Sequence, residues 1–490
     1  MSPAASILLP SLLVVAASRA VFAEGAAPLT VTRGPYLQAL LAESVEILWH
    51  TDGLSSGAVE VSEAEGGAPR RIAEDRPAAE HRVKVTGLAP DHHYRYRILD
   101  GEEPLGGEFP LRTAPRTGQG TVRIAVAGDS GYQGSEGQLA VAAVIQAMEP
   151  DLFIHTGDLS YFNDLDGDVF CPYREILTHT CLYTSRGNHD RDWIWFGALH
   201  PHLDDPRELR TFYSFDWGCV HFVTIDTNSF SNEPAVAREQ LRFLEADLET
   251  AQARGVPWKI VFFHYPPYTV GPGAVTSPDL NRTVRNGVAP LADRYGVDLV
   301  LYGHDHIYQR THPLRGSVPR DAWQSPAAYV LPRGTVYLGT GGGGGVLYSI
   351  ARRSALTAAS AKGYHAVELV ITPETLSGRA ISPEEGVLDE FRIVKTGPRP
   401  PFNFLRGDAG ATGRLDIADA IHVLNYLFLG GEPPACPGAA DVDASGELNL
   451  GDPVTILNYL FLGGNPPAPP APDCGPAPLD EDAWCVRTGC

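Results

Sequence analysis

Apolar and polar positions alternate with period two between about residues 28 and 115. VEILWHT (45–51), HRVKVTGL (81–88) and YRYRILD (94–100) each present one apolar face, the pattern of half-buried strands. No helix-period run of useful length interrupts them, so the spacing predicts a small β-sandwich over 28–115, closed by the linker APRTGQG at 114–120. From about residue 121 to 396 the pattern changes. Continuous apolar runs (VRIAVAGD, DLFIHTGD, WKIVFFH) alternate with helix-period segments at 139–148 and 238–255. That alternation predicts an α/β domain with helices packed on sheets, completed by the later strands TVYLGTG, YHAVELVIT and EFRIVKT.

Beyond the Pro-rich linker TGPRPPFN (396–403), residues 404–465 hold a repeat of period 33, with NYLFLGG at 425–431 and again at 458–464. DAGATGRLDIAD (408–419) aligns with DVDASGELNLGD (441–452), and both fit a calcium loop with ligands at positions 1, 3, 5, 9 and 12 and Gly at 6. The second copy offers Asp441, Asp443, Ser445, Asn449 and Asp452, with Gly446 at the turn. The first offers Asp408, Thr412, Asp416 and Asp419; Gly410 at its third position removes one side chain and predicts weaker binding. Each loop runs into a helix of apolar spacing 4, 3, 4: Ile417, Ile421, Leu424 and Phe428, then Leu450, Val454, Leu457 and Phe461, the stripe of an amphipathic helix. A small α module with calcium loops is expected, followed by a Pro/Cys-rich tail at 466–490.

Length and charge narrow the class. At 490 residues the chain has room for about three domains. A net charge of −21 argues against nucleic acid as the partner, because a phosphate backbone would be repelled. It leaves small phosphorylated substrates open, since bound cations reverse the local sign. Residues 1–23 read as an export signal: an apolar stretch at 7–17, then Val21-Phe22-Ala23 suited to cleavage before Glu24. The stretch is too short to span a bilayer and no other segment spans one, so a secreted, periplasmic or cell-surface protein is expected. Of the seven cysteines, Cys171 and Cys181 could pair across a loop. Cys436, Cys474, Cys485 and Cys490 form a C-terminal set with three possible connectivities. Cys219, inside the apolar run FDWGCVHFVTI, reads as a buried free thiol.

Five strings carry the chemistry: GDSG (128–131), GDLSY (157–161), GNHD (187–190), HYPP (264–267) and GHDH (303–306). Asp129, Asp158, His264 and His304 each follow a strand-like run, with Asn188 less clearly so. Loops at the carboxyl ends of strands converge on one side of an α/β sheet. Carboxylate, amide and imidazole donors gathered there suit a pair of cations about 3.5–4 Å apart, which can clamp both oxygens of a phosphoryl displacement. A trivalent ion would favour an anionic oxygen donor, which the Tyr161 phenolate could supply. The glycine before each ligand is expected to let the backbone turn sharply. Singly the strings are weak; in this order, with steps of 29, 30, 76 and 40 residues from Asp129 to His304, they are specific.

The ordered set resembles the signature of purple acid phosphatases within the calcineurin-like metallophosphoesterase superfamily. The resemblance implies an α/β sandwich of two sheets flanked by helices over 121–396, and a fibronectin type III-like leading domain. The phrase GLAPDHHYRY is similar to the corner where a tyrosine locks such a sandwich. Carried over by position, the resemblance implies that Asp129, Tyr161 and His306 hold Fe(III). Asn188, His264 and His304 would hold a divalent ion (Fe, Zn or Mn), and Asp158 would bridge the two. It further implies that a metal-bound hydroxide attacks phosphorus while His189 contacts phosphate or protonates the leaving oxygen, with Asp190 orienting His189. The loop after His264, YPPYTVGPGAVTSPD, lacks the further histidines of well-known relatives. Tyr265, Tyr268, Arg310, His200 and His202 are available in their place, though a surface role is the expectation for each.

The C-terminal repeat, with one helix per loop, resembles a dockerin module, which implies a cohesin-like partner; a calcium-stabilised terminal domain with no partner is the alternative. The leading expectation is an exported acid phosphatase acting on phosphate monoesters. A phosphodiesterase or nucleotide hydrolase with the same metals is the second, and an inactive surface interaction protein the third.

Overall fold

A computed structural model describes residues 29–190, 199, 211–322, 324–398 and 403–476. The N-terminal segment folds as two antiparallel sheets. Val31–Gln38, Ser44–Ser55 and Ala78–Thr86 form one; Arg70–Ala73, Gly57–Glu63, His93–Asp100 and Glu103–Pro104 form the other, with Phe109–Arg112 added on His93–Asp100. Period-two alternation turns Val45, Ile47, Trp49, Val83 and Val85 inward from the first sheet to meet Val59, Val61, Tyr96 and Ile98 from the second. The Tyr94 hydroxyl accepts a hydrogen bond from the Ala89 amide at 2.8 Å, tying the strand to the turn before it.

Two seven-stranded sheets make the central body. One runs Cys181–Thr184, Leu152–His155, Val122–Ala127, Ala366–Ile371, Thr375–Ser382, Gly386–Val394, Ala328–Val330. The other runs Tyr213–Trp217, Val220–Thr224, Trp258–Phe262, Leu299–Tyr302, Val336–Thr340, Tyr308–Thr311, Thr357–Ala361. Strands that are apolar throughout are buried on both faces. Ile124, Val126, Leu152 and Ile154 face Ile260, Phe262, Leu299 and Leu301 between the sheets. Their neighbours Ala125, Ala127 and Phe153 pack outward on the helix Glu136–Ala147. Val261, Phe263 and Val300 pack outward on the helices Pro234–Ala253 and Pro278–Tyr295. The result is four layers, helix–sheet–sheet–helix. Three polar contacts bind the N-terminal sheets to this body: Arg33 to both Asp166 oxygens at 2.6 Å, the Tyr96 hydroxyl to the Thr178 carbonyl at 2.6 Å, and Arg112 to Asp151 at 2.7 Å.

Several expectations need correction. Cys171 and Cys181 are both free: Cys181 is buried at the start of a sheet strand, opposite Leu152, whereas Cys171 is exposed. Cys219 is free and buried as expected, but FDWGCVHFVTI is a hairpin with Cys219 at its turn rather than one strand. Cys436 and Cys474 each take part in a disulfide, with the connectivity left open; Cys485 and Cys490, like the proposed export signal at 1–23 and His200 and His202, lie outside the described residues. Among the described residues no helix is long and apolar enough to cross a membrane.

In the C-terminal segment the helices Ile417–Leu429 and Gly451–Leu462 pack together, each behind one repeat loop. The core between them is small: Ala409, Val423 and Ala440 on one side, Ala420, Val442 and Ile456 on the other. The apolar stripe expected to seek a core is largely outside it. Ile417, Ile421, Phe428, Leu450, Val454 and Phe461 are all exposed, Phe428 and Phe461 by 63% and 62%.

Candidate metal centre

The parallel strands of both sheets end at one place. From the first sheet, Val122–Ala127 delivers Asp129, Leu152–His155 delivers Asp158 and Tyr161, and Cys181–Thr184 delivers Asn188, His189 and Asp190. From the second, Trp258–Phe262 delivers His264 and Leu299–Tyr302 delivers His304 and His306. The seven residues expected to bind metal fall into two groups that meet at Asp158. In one, the Tyr161 hydroxyl lies 2.9 Å from His306 Nε2 and 3.5 Å from Asp129 Oδ1, with His306 Nε2 3.4 Å from that carboxylate. In the other, Asn188 Oδ1 lies 3.0 Å from His264 Nε2 and 3.0 Å from His304 Nδ1. Asp158 Oδ2 is 3.5 Å from His264 Nε2, and one ligand atom each of Asp129, Asp158 and His264 lie within 4.8 Å of one another.

The proton inventory shows what such a cluster needs. His264 Nδ1 donates to the Thr156 carbonyl at 3.0 Å, and His306 Nδ1 donates to the Val346 carbonyl at 2.7 Å. When neutral, each ring therefore turns its Nε2 lone pair inward, toward the oxygens of Asn188 and Asp158 or of Tyr161 and Asp129. Ring N–H groups held by backbone carbonyls are the usual support of metal-ligating histidines. Lone pairs facing lone pairs, with two buried carboxylates beside them, fit cations. Burial pushes Asp158 above the usual carboxylate range. Burial also opposes ionisation of Asp129, but with no cation bound a hydrogen bond from a protonated His306 and the charge of nearby imidazoliums outweigh it and hold this group low.

The backbone is bent to this purpose. Asp129, Asp158 and His304 have φ of 58°, 55° and 70°, a left-handed conformation that costs a non-glycine residue roughly 1–3 kcal/mol and clusters at functional sites. The candidate ligands themselves make the turn, which corrects the expectation that the preceding glycines do so. Of those glycines only Gly157 has a positive φ, 97°; Gly128, Gly187 and Gly303 are required because a Cβ would overlap Thr156, Asp158 and Asp129 respectively. Crossing hydrogen bonds lock the loops: Asp129 N to Gly157 O at 2.9 Å, Gly303 N to His264 O at 3.0 Å, and His304 N to Asp129 Oδ2 at 2.9 Å.

His189 is half-buried at the rim, its amide donating to Asp158 Oδ1 at 2.8 Å and its ring 4.6 Å from that of Tyr161. Asp190 does not orient it. Its buried carboxylate instead accepts from the amides of Gly187, Asp158 and Ser160 at 2.7, 2.9 and 3.1 Å, pinning the Asn188 loop to the Asp158 loop. Burial and the Asp158 charge raise its pKa to about 7. Tyr265 stands 4.3 Å from the His304 ring. Arg310 is not a surface residue; it is buried and held by both oxygens of Asp389, at 2.7 and 3.1 Å.

Two supports escaped the sequence reading. Asp305, between two expected ligands, accepts from Thr269 Oγ1 and from Gly273 N at 2.9 Å, and so anchors the loop after His264. The five glycines 341–345 fold against the ligand loops: Gly343 N donates to Gly128 O at 2.9 Å and Gly345 N to Asp129 O at 2.8 Å, and a Cβ on Gly345 would stand 2.8 Å from His306 Cε1. A homopolymer of glycine directly after a buried strand was the available signal.

Residues 122–308 match the calcineurin-like phosphoesterase family. "Probable inactive purple acid phosphatase 27" of Arabidopsis thaliana is 26% identical over 322 residues, covering 58% of this chain and 52% of that protein. "Acid phosphatase type 7" of Homo sapiens is 28% identical over 289 residues, covering 54% and 64%. The chain thus spans about half to two thirds of these relatives. The purple acid phosphatase PPD1 from yellow lupin shares the fold, with a TM-score of 0.62 at 22% identity over 74% of each chain. The chain therefore contains a calcineurin-like metallophosphoesterase domain with purple acid phosphatases among its relatives.

Proposed function

We propose that the protein is an exported binuclear-metal acid phosphatase acting on phosphate monoesters. The observation that carries this reading is the meeting of the two donor groups at Asp158. Asp129, Tyr161 and His306 would hold Fe(III); Asn188, His264 and His304 would hold a divalent Fe, Zn or Mn; and Asp158 would bridge them. Bound there, the cations would neutralise phosphoryl charge and lower the pKa of water to near neutrality. The chain's own residues do the rest. His189, fixed by its amide to Asp158, presents an imidazole at the rim where it can hold a proton for the leaving oxygen. Asp190 positions the Asn188 and Asp158 loops, and Tyr265 shapes the approach to His304.

Residues 24–490, produced with iron and zinc available, should be coloured by tyrosinate-to-iron charge transfer, carry about two metals per chain and turn over p-nitrophenyl phosphate. Tyr161→Phe should lose the visible band while the second metal remains. A colourless but active protein would point to a generic metallophosphoesterase. A folded chain with neither metal nor turnover would favour a retired enzyme, which the name of the first Arabidopsis relative makes a real competitor.

The leading sheets read as a fibronectin type III-like domain and residues 1–23 as the export signal. The C-terminal repeats read as a dockerin-like calcium module for a cohesin-like partner. Support comes from Asp441, Asp443 and Asp452, which bring one carboxylate oxygen each within 4.8 Å of one another, and from the exposed apolar stripe on both helices, which offers a docking face. Asp408 accepts from the amides of Thr412 and Gly413 at 2.8 and 2.7 Å just as Asp441 accepts from those of Ser445 and Gly446 at 3.0 and 2.9 Å, so the first loop is weaker because Gly410 stands where the second has the Asp443 carboxylate. Calcium at about a hundredfold over its Kd should stabilise the module by ~2.7 kcal/mol. Differential scanning calorimetry of the full chain should show this shift shrink in Asp441→Ala more than in Asp408→Ala. Equal shifts in both variants and the parent would remove calcium from the second loop.

A further inference from the structure

We propose a second oxyanion site, separate from the metal centre, in the cavity behind the loop that follows His264. The cavity has a volume of about 300 Å³, and Tyr268, Arg285, Ser317, Arg352, Ser354 and Thr357 line its polar wall. None of its lining residues is acidic, in a chain whose net charge is −21. Two guanidinium groups therefore face one small space with no carboxylate to answer them.

Neither arginine is ion-paired among the described residues. Arg285 gives Nη1 to the Pro267 carbonyl at 3.2 Å and lies over the Tyr268 ring, 5.5 Å from its centre. Its Nε and Nη2 hydrogens remain to be donated. Arg352 gives Nε and Nη2 to the Thr269 carbonyl at 3.3 and 3.2 Å, bonds long enough to be exchanged for a charged acceptor. Tyr268 and Ser317 share one hydrogen bond of 2.8 Å between two hydroxyls, so one of their protons is left over. Ser354 Oγ accepts from the Leu356 amide at 3.2 Å, which leaves its own proton free. The wall is thus a set of donors around two cations, the chemistry that recognises a phosphate group, free or carried by a small ester.

The wall is also joined to the metal centre. Thr269, whose carbonyl holds Arg352, donates its hydroxyl to Asp305, and Asp305 separates His304 from His306. An anion that draws Arg352 off Thr269 acts on the loop that carries two of the proposed ligands. The binding claim itself does not depend on turnover.

Isothermal titration of the full-length, metal-loaded chain with inorganic phosphate, and separately with phenylphosphonate as an ester mimic that cannot be hydrolysed, tests it. Two binding events per chain are expected, one of them weakened at least about tenfold in both Arg285→Gln and Arg352→Gln and retained in Asp158→Ala. Binding of phosphate alone at this second event would assign the site to the free anion, and binding of both probes to phosphate esters as well. Events, whether one or two per chain, that are all unchanged in both arginine variants whose melting temperatures match the parent would overturn the site, as would a single event lost in Asp158→Ala. A second event that persists in a protein without phosphatase activity would uphold the site while sinking the proposed enzyme.

Discussion

Asp158→Ala is expected to lower kcat/KM for p-nitrophenyl phosphate by about a thousandfold or more and to release most of the bound metal. Asp158 is the one carboxylate placed between the two donor groups, 2% exposed, with Oδ2 toward His264 and Oδ1 held by the His189 amide. Cations at such a site contribute several kcal/mol to stabilising phosphoryl charge, and each 1.36 kcal/mol is a factor of ten in rate. The loop should survive the change in part, because Asp190 binds the backbone amide at 158 and not the side chain. Alanine is less tolerant than aspartate of the left-handed φ at this position, so Asp158→Asn, which keeps that tolerance, is the companion variant. It should retain the parent melting temperature to within a few degrees while losing activity to a similar extent. Metal analysis and steady-state kinetics on both proteins decide the matter; a folded variant that keeps two metals and a tenth of the activity would remove Asp158 from the centre.

The layers of the central body were legible because its strands are short, wholly apolar and punctuated by glycine, and because the helix 234–253 has clean periodicity. What lay hidden was hidden for identifiable reasons. The helix Pro278–Tyr295 contains Gly287 and Pro290, whose propensities speak against it, although Val284, Val288, Ala292 and Tyr295 keep helical spacing along its buried face. Tertiary packing overrides them: Gly287 lets the helix approach Leu241 and Phe230, to which an added Cβ would come within 3.1 and 3.2 Å. The hairpin at Cys219 was masked because Val220 to Thr224 are all buried and no Asn-Gly signal marks the turn. The candidate ligands could be named because strand ends followed by Gly-Asp or Gly-His converge by topology. The role of Asp190 could not, since only the fold shows its carboxylate turned to three amides and away from the neighbouring imidazole.

The C-terminal helices show a different limit. Periodicity identifies an apolar stripe but not which way it faces. Here the core is so small that Ala420, Val423 and Ile456 are the helices' own buried members of it, and six of the eight stripe side chains, all but Leu424 and Leu457, are left exposed. Exposed apolar side chains of this kind are the observation behind the proposed docking role.

Gly187→Ala should be the most damaging single-atom change in the metal centre that leaves every ligand in place. A Cβ at 187 would overlap the amide nitrogen and Oδ1 of Asp158 and stand 2.8 Å from its Cα. These are backbone atoms or a pinned carboxylate, so no flexible side chain can move aside. The same residue donates its amide to Asp190 at 2.7 Å, and any shift that relieves the overlap lengthens that bond and pulls Asn188 away from His264 and His304. Overpacking of this kind costs about 1–3 kcal/mol or more, a fall in melting temperature of roughly 2–12 °C for a body of this size. The effect on turnover should be larger, since a displacement of about 1 Å at a reacting centre costs on the order of a hundredfold. Gly67→Ala is the control: a Cβ there meets nothing within 4 Å and the position has no left-handed φ, so melting and kinetics should match the parent. If Gly187→Ala matched the parent as well, the close apposition of the Asn188 and Asp158 loops would be wrong, and with it the bridging position of Asp158.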